Sequence, residues 1–244
     1  ATTMRGTRLP LESMTRGERT LGRDEAHYLT VVRRLAEGDR FVAFDPDAGL
    51  EAEARVLSAE RGRVVVELDE PVEPGAIPGP RVCLVQAVGK GDKLDQVARD
   101  ATELGVDRIA PAIASRSVAR RDSEASRARL RRVVVEASRQ CGRGRAPTLD
   151  PARPLAEVLA SCDAEKRLLL HPGRGRPIGR ALEGLGGLAS LAIAVGPEGG
   201  FDEEELAAAE AAGFEIVHLG PLVLRTETVA AAVLGAIRVL SELR

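Results

Sequence analysis

The chain has 244 residues, of which 44% are apolar and 30% charged, with a formal net charge of −2. This is the make-up of a soluble globular protein of one or two domains with ample core material. It argues against a membrane protein, since no apolar run approaches the roughly 18–20 residues a helical span requires, and Ala1 to Pro10 carries charges but no apolar segment of a secretory signal. Cys83, Cys141 and Cys162 are widely spaced with no C-x-x-C pair, and His27, His171 and His218 are scattered. Neither a disulfide framework nor a metal site is indicated, and a reducing cytoplasm is the expected compartment.

In chain order, His27 to Leu35 reads as a short helix. Arg40 to Phe44, Glu51 to Leu57 and Val64 to Leu68 read as short strands, parted by turns at Asp45-Pro46-Asp47-Ala48-Gly49 and Arg61-Gly62. Closely spaced short strands point to a small β-barrel. Residues 70–80 carry four prolines and two glycines and cannot form a regular element. Beyond them strands and helices alternate: strand Val82 to Val88, then helix Asp92 to Leu104 with Leu94, Val97, Ala98, Ala101 and Leu104 on one face and Gly105 closing it. Strand Arg108 to Ile113 follows, then helix Ser123 to Gln140, strand Arg167 to Leu170 and helix Pro177 to Leu185. Such alternation implies an α/β fold with a mostly parallel sheet.

The last third repeats one plan twice. Strand Leu191 to Val195 runs through Gly196-Pro197-Glu198-Gly199-Gly200-Phe201 into helix Glu203 to Ala212. Strand Ile216 to Leu219 runs through Gly220-Pro221-Leu222-Val223-Leu224-Arg225-Thr226-Glu227-Thr228 into helix Val229 to Leu240. Two Gly/Pro-rich loops at the carboxyl ends of neighbouring strands are where an open α/β sheet holds small ligands. Asp202 and Glu205 form a capping box for the first of these helices. The run Asp202-Glu203-Glu204-Glu205 suits the positive end of the helix dipole but repels a phosphate. No G-x-G-x-x-G follows a strand and no P-loop exists. The favoured ligand is therefore neutral or cationic, and an adenosine joined to a sulfonium fits better than a nucleoside triphosphate.

Charge is unevenly spread. Between Ser115 and Arg145 there are ten arginines against Asp122, Glu124 and Glu136, leaving the remainder of the chain acidic. Leu130, Val133, Val134 and Ala137 mark the buried stripe of the helix in this stretch. Arg127, Arg131 and Arg132 then fall toward the solvated side, and Arg143 and Arg145 in the loop beyond. Guanidinium forks suit phosphate oxygens, so RNA contact is the preferred reading over a solvated face with local ion pairs. The same reasoning gathers Arg8, Arg33, Arg116 and Arg139 into the candidate RNA-binding set.

GPEGGF followed by LG-x-x-x-LRTET resembles the small-subunit ribosomal RNA uridine-N3 methyltransferases of the SPOUT superfamily, the RsmE family. Other pieces are similar and in order: Ala26 to Arg33 with Gly38-Asp39, Lys93 with Ala101 to Val106, Glu136-Ala137 with Gln140 to Arg143 and Pro147, and Leu170-His171-Pro172. Val229 departs from the alanine often found there. The resemblance spans nearly the whole chain. It implies a PUA-like β-barrel RNA-binding domain at residues 1–72, a linker at 73–80 and a SPOUT methyltransferase domain at 81–244. That domain would have a trefoil-knotted, mostly parallel sheet, although knots are rare among protein folds.

The resemblance further implies an S-adenosylmethionine site, a homodimer, and as substrate 16S ribosomal RNA within the small subunit, methylated at N3 of a uridine near its 3′ end. Three loops would hold the cofactor. Leu170 and His171 belong to the first, and Val195, Gly196, Pro197, Glu198, Gly199 and Gly200 to the second. Leu219, Gly220, Leu222, Val223, Leu224, Thr226 and Thr228 belong to the third. A uridine N3 carries a proton at neutral pH, so the site needs a base, or a cation for the charge developing on the uracil oxygens. Arg225 is the first candidate cation and Arg143 the second, while Glu198 or Glu227 is the candidate base. Val229, Val233, Ala236, Ile237 and Leu240 give the last helix an apolar face for its own core or for a partner. A SPOUT enzyme acting on ribose 2′-oxygen or another RNA position, and a non-catalytic RNA-binding protein, are the other function classes.

Overall fold

The computed structural model describes residues 6–60, 63–117 and 123–242. The turn at Arg61-Gly62 and the charges of Arg120, Arg121 and Asp122 lie outside the described residues. The chain divides into two compact units, residues 1–76 with 135–146, and residues 77–134 with 147–244.

The first unit contains β1 (Arg8–Pro10), β2 (Gly17–Thr20), α1 (Arg23–His27), β3 (Arg40–Asp45), β4 (Leu50–Glu60) and β5 (Arg63–Leu68). They form a five-stranded sheet of order β1-β3-β4-β5-β2, antiparallel except for the β1–β3 pair. Alternation decides which side is core: Ala52, Ala54 and Val56 of β4 are buried, as are Val64, Val66 and Leu68 of β5. Between Val56 and Ser58 the register shifts, and β4 runs on to Glu60 rather than ending at Leu57. A bulge lets a strand bend and continue, which a period-2 pattern cannot reveal. The helix expected over His27 to Leu35 instead starts at Arg23 and gives way to a wider π-type turn over Tyr28–Val32.

Residues 135–146 group with this unit through specific bonds. Arg139 donates to the Tyr28 hydroxyl and lies 4.8 Å above its ring. Arg145 Nη2 donates to the Ala48 carbonyl at 2.7 Å, and the Ala146 amide to that of Pro46 at 2.9 Å. A boundary at residues 73–80, as expected from sequence, would place this stretch wholly in the second domain.

The second unit holds β6 (Arg81–Ala87), α2 (Lys93–Glu103), β7 (Arg108–Ile113), α3 (Glu124–Cys141, whose last residues group with the first unit), β8 (Thr148–Leu149), β9 (Arg153–Pro154) and α4 (Leu155–Ala160). There follow β10 (Lys166–Leu170), β11 (Arg176–Pro177), α5 (Ile178–Ala181), β12 (Ser190–Val195), α6 (Glu203–Ala211), β13 (Glu215–His218) and α7 (Thr226–Glu242). Strand order is β11-β13-β10-β12-β6-β7-β8, with β9 paired to β7, and the pairs are parallel. Leu191 to Val195 is buried throughout, as expected of a central parallel strand covered on both faces. β10 lies between β12 and β13, so the connection through α6 must cross it.

Helix ends follow local chemistry. Asp202 Oδ1 accepts from the Glu205 amide at 2.9 Å and Glu205 Oε2 from the Asp202 amide at 3.0 Å, the capping box read from sequence. Gly105, at φ +79°, closes α2. Arg238 on α7 donates to the carbonyls of Leu104 and Gly105 at 2.7 and 2.6 Å, satisfying groups that the end of α2 leaves open. Two expectations need correction. The helix expected over Pro177 to Leu185 is only α5, because Gly184 turns left-handed at φ +76° and the chain continues as a short 3-10 turn. The last helix begins at Thr226, so Thr226, Glu227 and Thr228 sit in its first turn rather than in the preceding loop.

Candidate active site

β13, β10 and β12 are neighbours and parallel, so the loops after them emerge side by side at the carboxyl edge of the sheet. Together they line a cleft of about 560 Å³. Every residue of the cofactor set read from sequence lines it except Thr228. Arg225, Lys93, Arg116, Pro172, Phe201 and Val229 complete the wall.

The loops are held by short bonds to a neighbouring strand and within their own turns. The His171 amide donates to the Val217 carbonyl at 2.9 Å, and His171 Nδ1 accepts from the Gly173 amide at 3.1 Å. His218 Nδ1 accepts from the Gly220 amide at 3.2 Å in the same fashion. Burial, then the nearby Arg174, push the His171 imidazole below its ordinary range, consistent with a neutral, acceptor nitrogen. The middle loop is tied from within. Thr226 Oγ1 donates to the Gly196 carbonyl at 2.7 Å and accepts from Gln86 Nε2 at 3.0 Å. Gln86, 2% exposed, therefore anchors the start of α7 to the GPEGG loop, and its Oε1 is buried without a hydrogen-bond partner. The sequence signal that marks Gln86 is an amide inside the otherwise apolar run Val82 to Ala87.

The charged groups divide by position. Lys93 Nζ lies 2.7 Å from Glu198 Oε1 and 3.7 Å from Glu227 Oε2. The Lys93 hydrogen bond holds the Glu198 carboxyl below its usual range, and Glu198 in turn raises the Lys93 ammonium. Glu198 lines the cleft, whereas Glu227 does not, and Glu227 Oε2 is buried with no hydrogen bond. Arg225 is exposed on the cleft wall, and its guanidinium has no hydrogen-bond or ion-pair partner among the described residues. Arg116 Nη1 donates to the Gly199 carbonyl at 2.5 Å. Arg143 groups with the first unit, and the cleft is lined by residues of the second alone.

The remaining candidate RNA arginines are unlike one another. Arg8 is 8% exposed, salt-bridged to Glu51 and stacked 5.1 Å from the Phe44 ring centre. Arg139 is engaged by Glu136 and Tyr28, and Arg33 Nε donates to Thr7 Oγ1 at 3.0 Å. Arg127 and Arg132 are exposed on α3, Arg131 is half-buried there, and the nearby Arg129 pairs with Asp95.

A mostly parallel sheet with a nucleoside-sized cleft at its carboxyl edge is the setting of a small-ligand site. The family model described as an RNA methyltransferase domain matches residues 77–238, and that of an RNA methyltransferase PUA domain matches residues 21–69. A ribosomal RNA small subunit methyltransferase E of Mycobacterium bovis is 36% identical over 231 residues, covering 89% of this chain and 85% of its own. The crystal structure of the Neisseria gonorrhoeae enzyme of that name, bound to S-adenosylmethionine, superposes with a TM-score of 0.85 at 29% identity, covering 96% of this chain and 98% of that one. A methyltransferase of Legionella pneumophila, also with S-adenosylmethionine bound, gives a TM-score of 0.83 at 27% identity, covering 97% and 98%. This chain belongs to the ribosomal RNA small subunit methyltransferase E family. The SPOUT-type sheet and PUA-like N-terminal domain expected from sequence are those of its relatives.

Proposed function

We propose that this chain methylates N3 of a uridine in the decoding region near the 3′ end of 16S ribosomal RNA, acting on the small ribosomal subunit in the cytoplasm as a homodimer. The observation that carries this reading is the single cleft formed by three strand-end loops, with Glu198, Arg225 and Lys93 on its wall.

The cleft fits S-adenosylmethionine. Its volume lies within the ~300–1,000 Å³ of small-molecule sites, and Leu170, Val195, Leu219 and Val223 offer apolar surface beside bare backbone at Gly196, Gly199 and Gly220. The acidic first turn of α6 beside it favours a cation over a phosphate. The bound cofactor supplies a methyl group on a sulfonium. The chain supplies placement, which can account for ~7–11 kcal/mol of a barrier, and charge. Glu198, kept ionised by Lys93, is available to take the N3 proton. Arg225 faces the cleft with donors to spare for the uracil oxygens as they gain charge.

The first unit and α3 would read the RNA. Arg127 and Arg132 are the exposed phosphate contacts, while the buried Arg8 serves the fold of its own unit. Replacing both with Gln is expected to flatten the salt dependence of RNA binding by ~0.7 in log–log slope per lost contact. An unchanged slope would return this face to solvent. Leu222, Val223 and Val239, at 73%, 80% and 63% exposure, are large apolar side chains that a second copy would cover. A monomer by sedimentation at micromolar concentration would contradict the dimer.

Purified protein, small subunits and methyl-labelled cofactor test the reaction itself. Nucleoside digestion should return label as 3-methyluridine. Label in a 2′-O-methylated nucleoside would keep the cofactor and overturn the substrate atom. Failure of S-adenosylmethionine to raise the melting temperature at millimolar concentration would remove the cofactor as well.

A further inference from the structure

Three segments far apart in the chain converge on one ammonium. Lys93 opens α2, Glu198 sits in the loop after β12, and Glu227 lies in the first turn of α7. Lys93 is one of only three lysines among the chain's 35 basic residues. A compact point charge can sit between two carboxylates at different distances, whereas a planar guanidinium fork would have to align with one of them. The approach is close elsewhere too. A Cβ at Gly89 would stand 3.1 Å from Glu198 Oε1, so the loop entering α2 leaves room for this carboxylate. The Lys90 amide points at the same oxygen from 3.5 Å.

The two carboxylates are not equivalent. Glu198 and Lys93 line the cleft; Glu227 does not, and its side chain, 12% exposed, lies 3.7 Å from the ammonium. Lys93 thus pairs with one carboxylate that lines the cleft and one that does not.

We propose that Lys93 is a positioning residue for methyl transfer, a clamp that fixes the cleft-facing Glu198 carboxylate and fastens it to α7 through Glu227. The role in turnover rests on the reaction proposed above; the clamp itself does not. Glu198 would otherwise swing on a glycine-rich loop, and a proton acceptor out of place by about 1 Å can cost ~10²-fold in rate. Other charged residues near Glu198 are Arg225 just before α7, Arg116, whose guanidinium reaches the adjacent Gly199 carbonyl, and Lys90, whose amide points at Glu198. All remain in every variant below.

The sign follows from the ion pair. Lys93 stabilises ionised Glu198, so its removal moves Glu198 protonation to higher pH. Carboxyl ¹³C titration of selectively labelled protein, with the Glu198 signal identified by its loss in Glu198→Gln, reads this directly. Lys93→Met should shift the Glu198 midpoint upward toward that of an ordinary glutamate. Lys93→Arg should keep it low. In methylation assays Lys93→Met should lose ~10²-fold in kcat/KM, and the acidic limb of its pH profile should move up with the carboxyl midpoint. Lys93→Arg should recover part of the rate. A Glu198 midpoint unmoved in Lys93→Met, or a pH profile that keeps its shape while only its height falls, would overturn the proposal. A midpoint that moves while the unmodified protein makes no methylated uridine would instead overturn the reaction and leave the clamp standing.

Discussion

Arg225→Ala is expected to lower kcat/KM for uridine methylation by ~10²–10³-fold, the loss that follows removal of one donor to a developing oxyanion. The reasoning is positional. Arg225 stands on the cleft wall immediately before α7, exposed and without a hydrogen-bond or ion-pair partner among the described residues, so the fold does not consume its charge. The loss should fall on kcat more than on RNA affinity, because the interaction strengthens as charge moves onto the uracil oxygens. Arg225→Lys should recover only part of the rate, since one ammonium cannot reproduce the fork. Single-turnover kinetics beside RNA binding separate the two effects. Equal losses in both would make Arg225 an ordinary RNA contact.

Gly175→Ala should destabilise the fold by roughly 2–5 kcal/mol, combining left-handed backbone strain with overpacking. Gly175 has φ +82°, and a Cβ there would fall 1.9 Å from the Ile216 carbonyl oxygen. No side-chain rotation relieves that contact, because a Cβ is fixed by its own backbone and the atoms it meets are backbone. β11 follows directly and pairs with β13, so the close approach brings the chain after His171 down onto the strand that bears the third loop. A melting temperature lowered by roughly 5–15 °C is expected at this size. Cofactor affinity should fall with it. An unchanged melting curve would refute the packing argument.

What could be read from sequence was whatever leaves a local chemical trace. The capping box of α6 and the Gly/Pro loops after β12 and β13 depend on residues a few positions apart, and Leu191 to Val195 of β12 is a continuous apolar run. Short elements left no such trace: β1, β2, β8, β9 and α4 have too few residues for a period to declare itself. The start of α7 was misplaced because Thr226 looks like loop until Gln86 and the Gly196 carbonyl are seen to hold it. The grouping of residues 135–146 with the first unit rests on Tyr28, Pro46 and Ala48, partners that only the fold supplies.

The cysteines make the same point. Cys83 and Cys162 are far apart in sequence, yet both pack in one core. Their mutual interaction, with burial, pushes the Cys83 thiol up and draws the Cys162 thiol down. At the candidate site, Glu198 and Glu227 were indistinguishable as bases in the sequence. Their different standing, one on the cleft wall and one off it beside Lys93, comes from where the fold sets two loops and a helix start.

Nucleoside mass spectrometry of 16S ribosomal RNA, from cells lacking this gene and from the same cells with it restored, tests the central claim most directly. One 3-methyluridine near the 3′ end should vanish on deletion, return with the unmodified gene, and stay absent or strongly reduced with Arg225→Ala. A 3-methyluridine content unaffected by deletion, or loss of a different methylated nucleoside, would contradict uridine-N3 methylation as the work of this cleft.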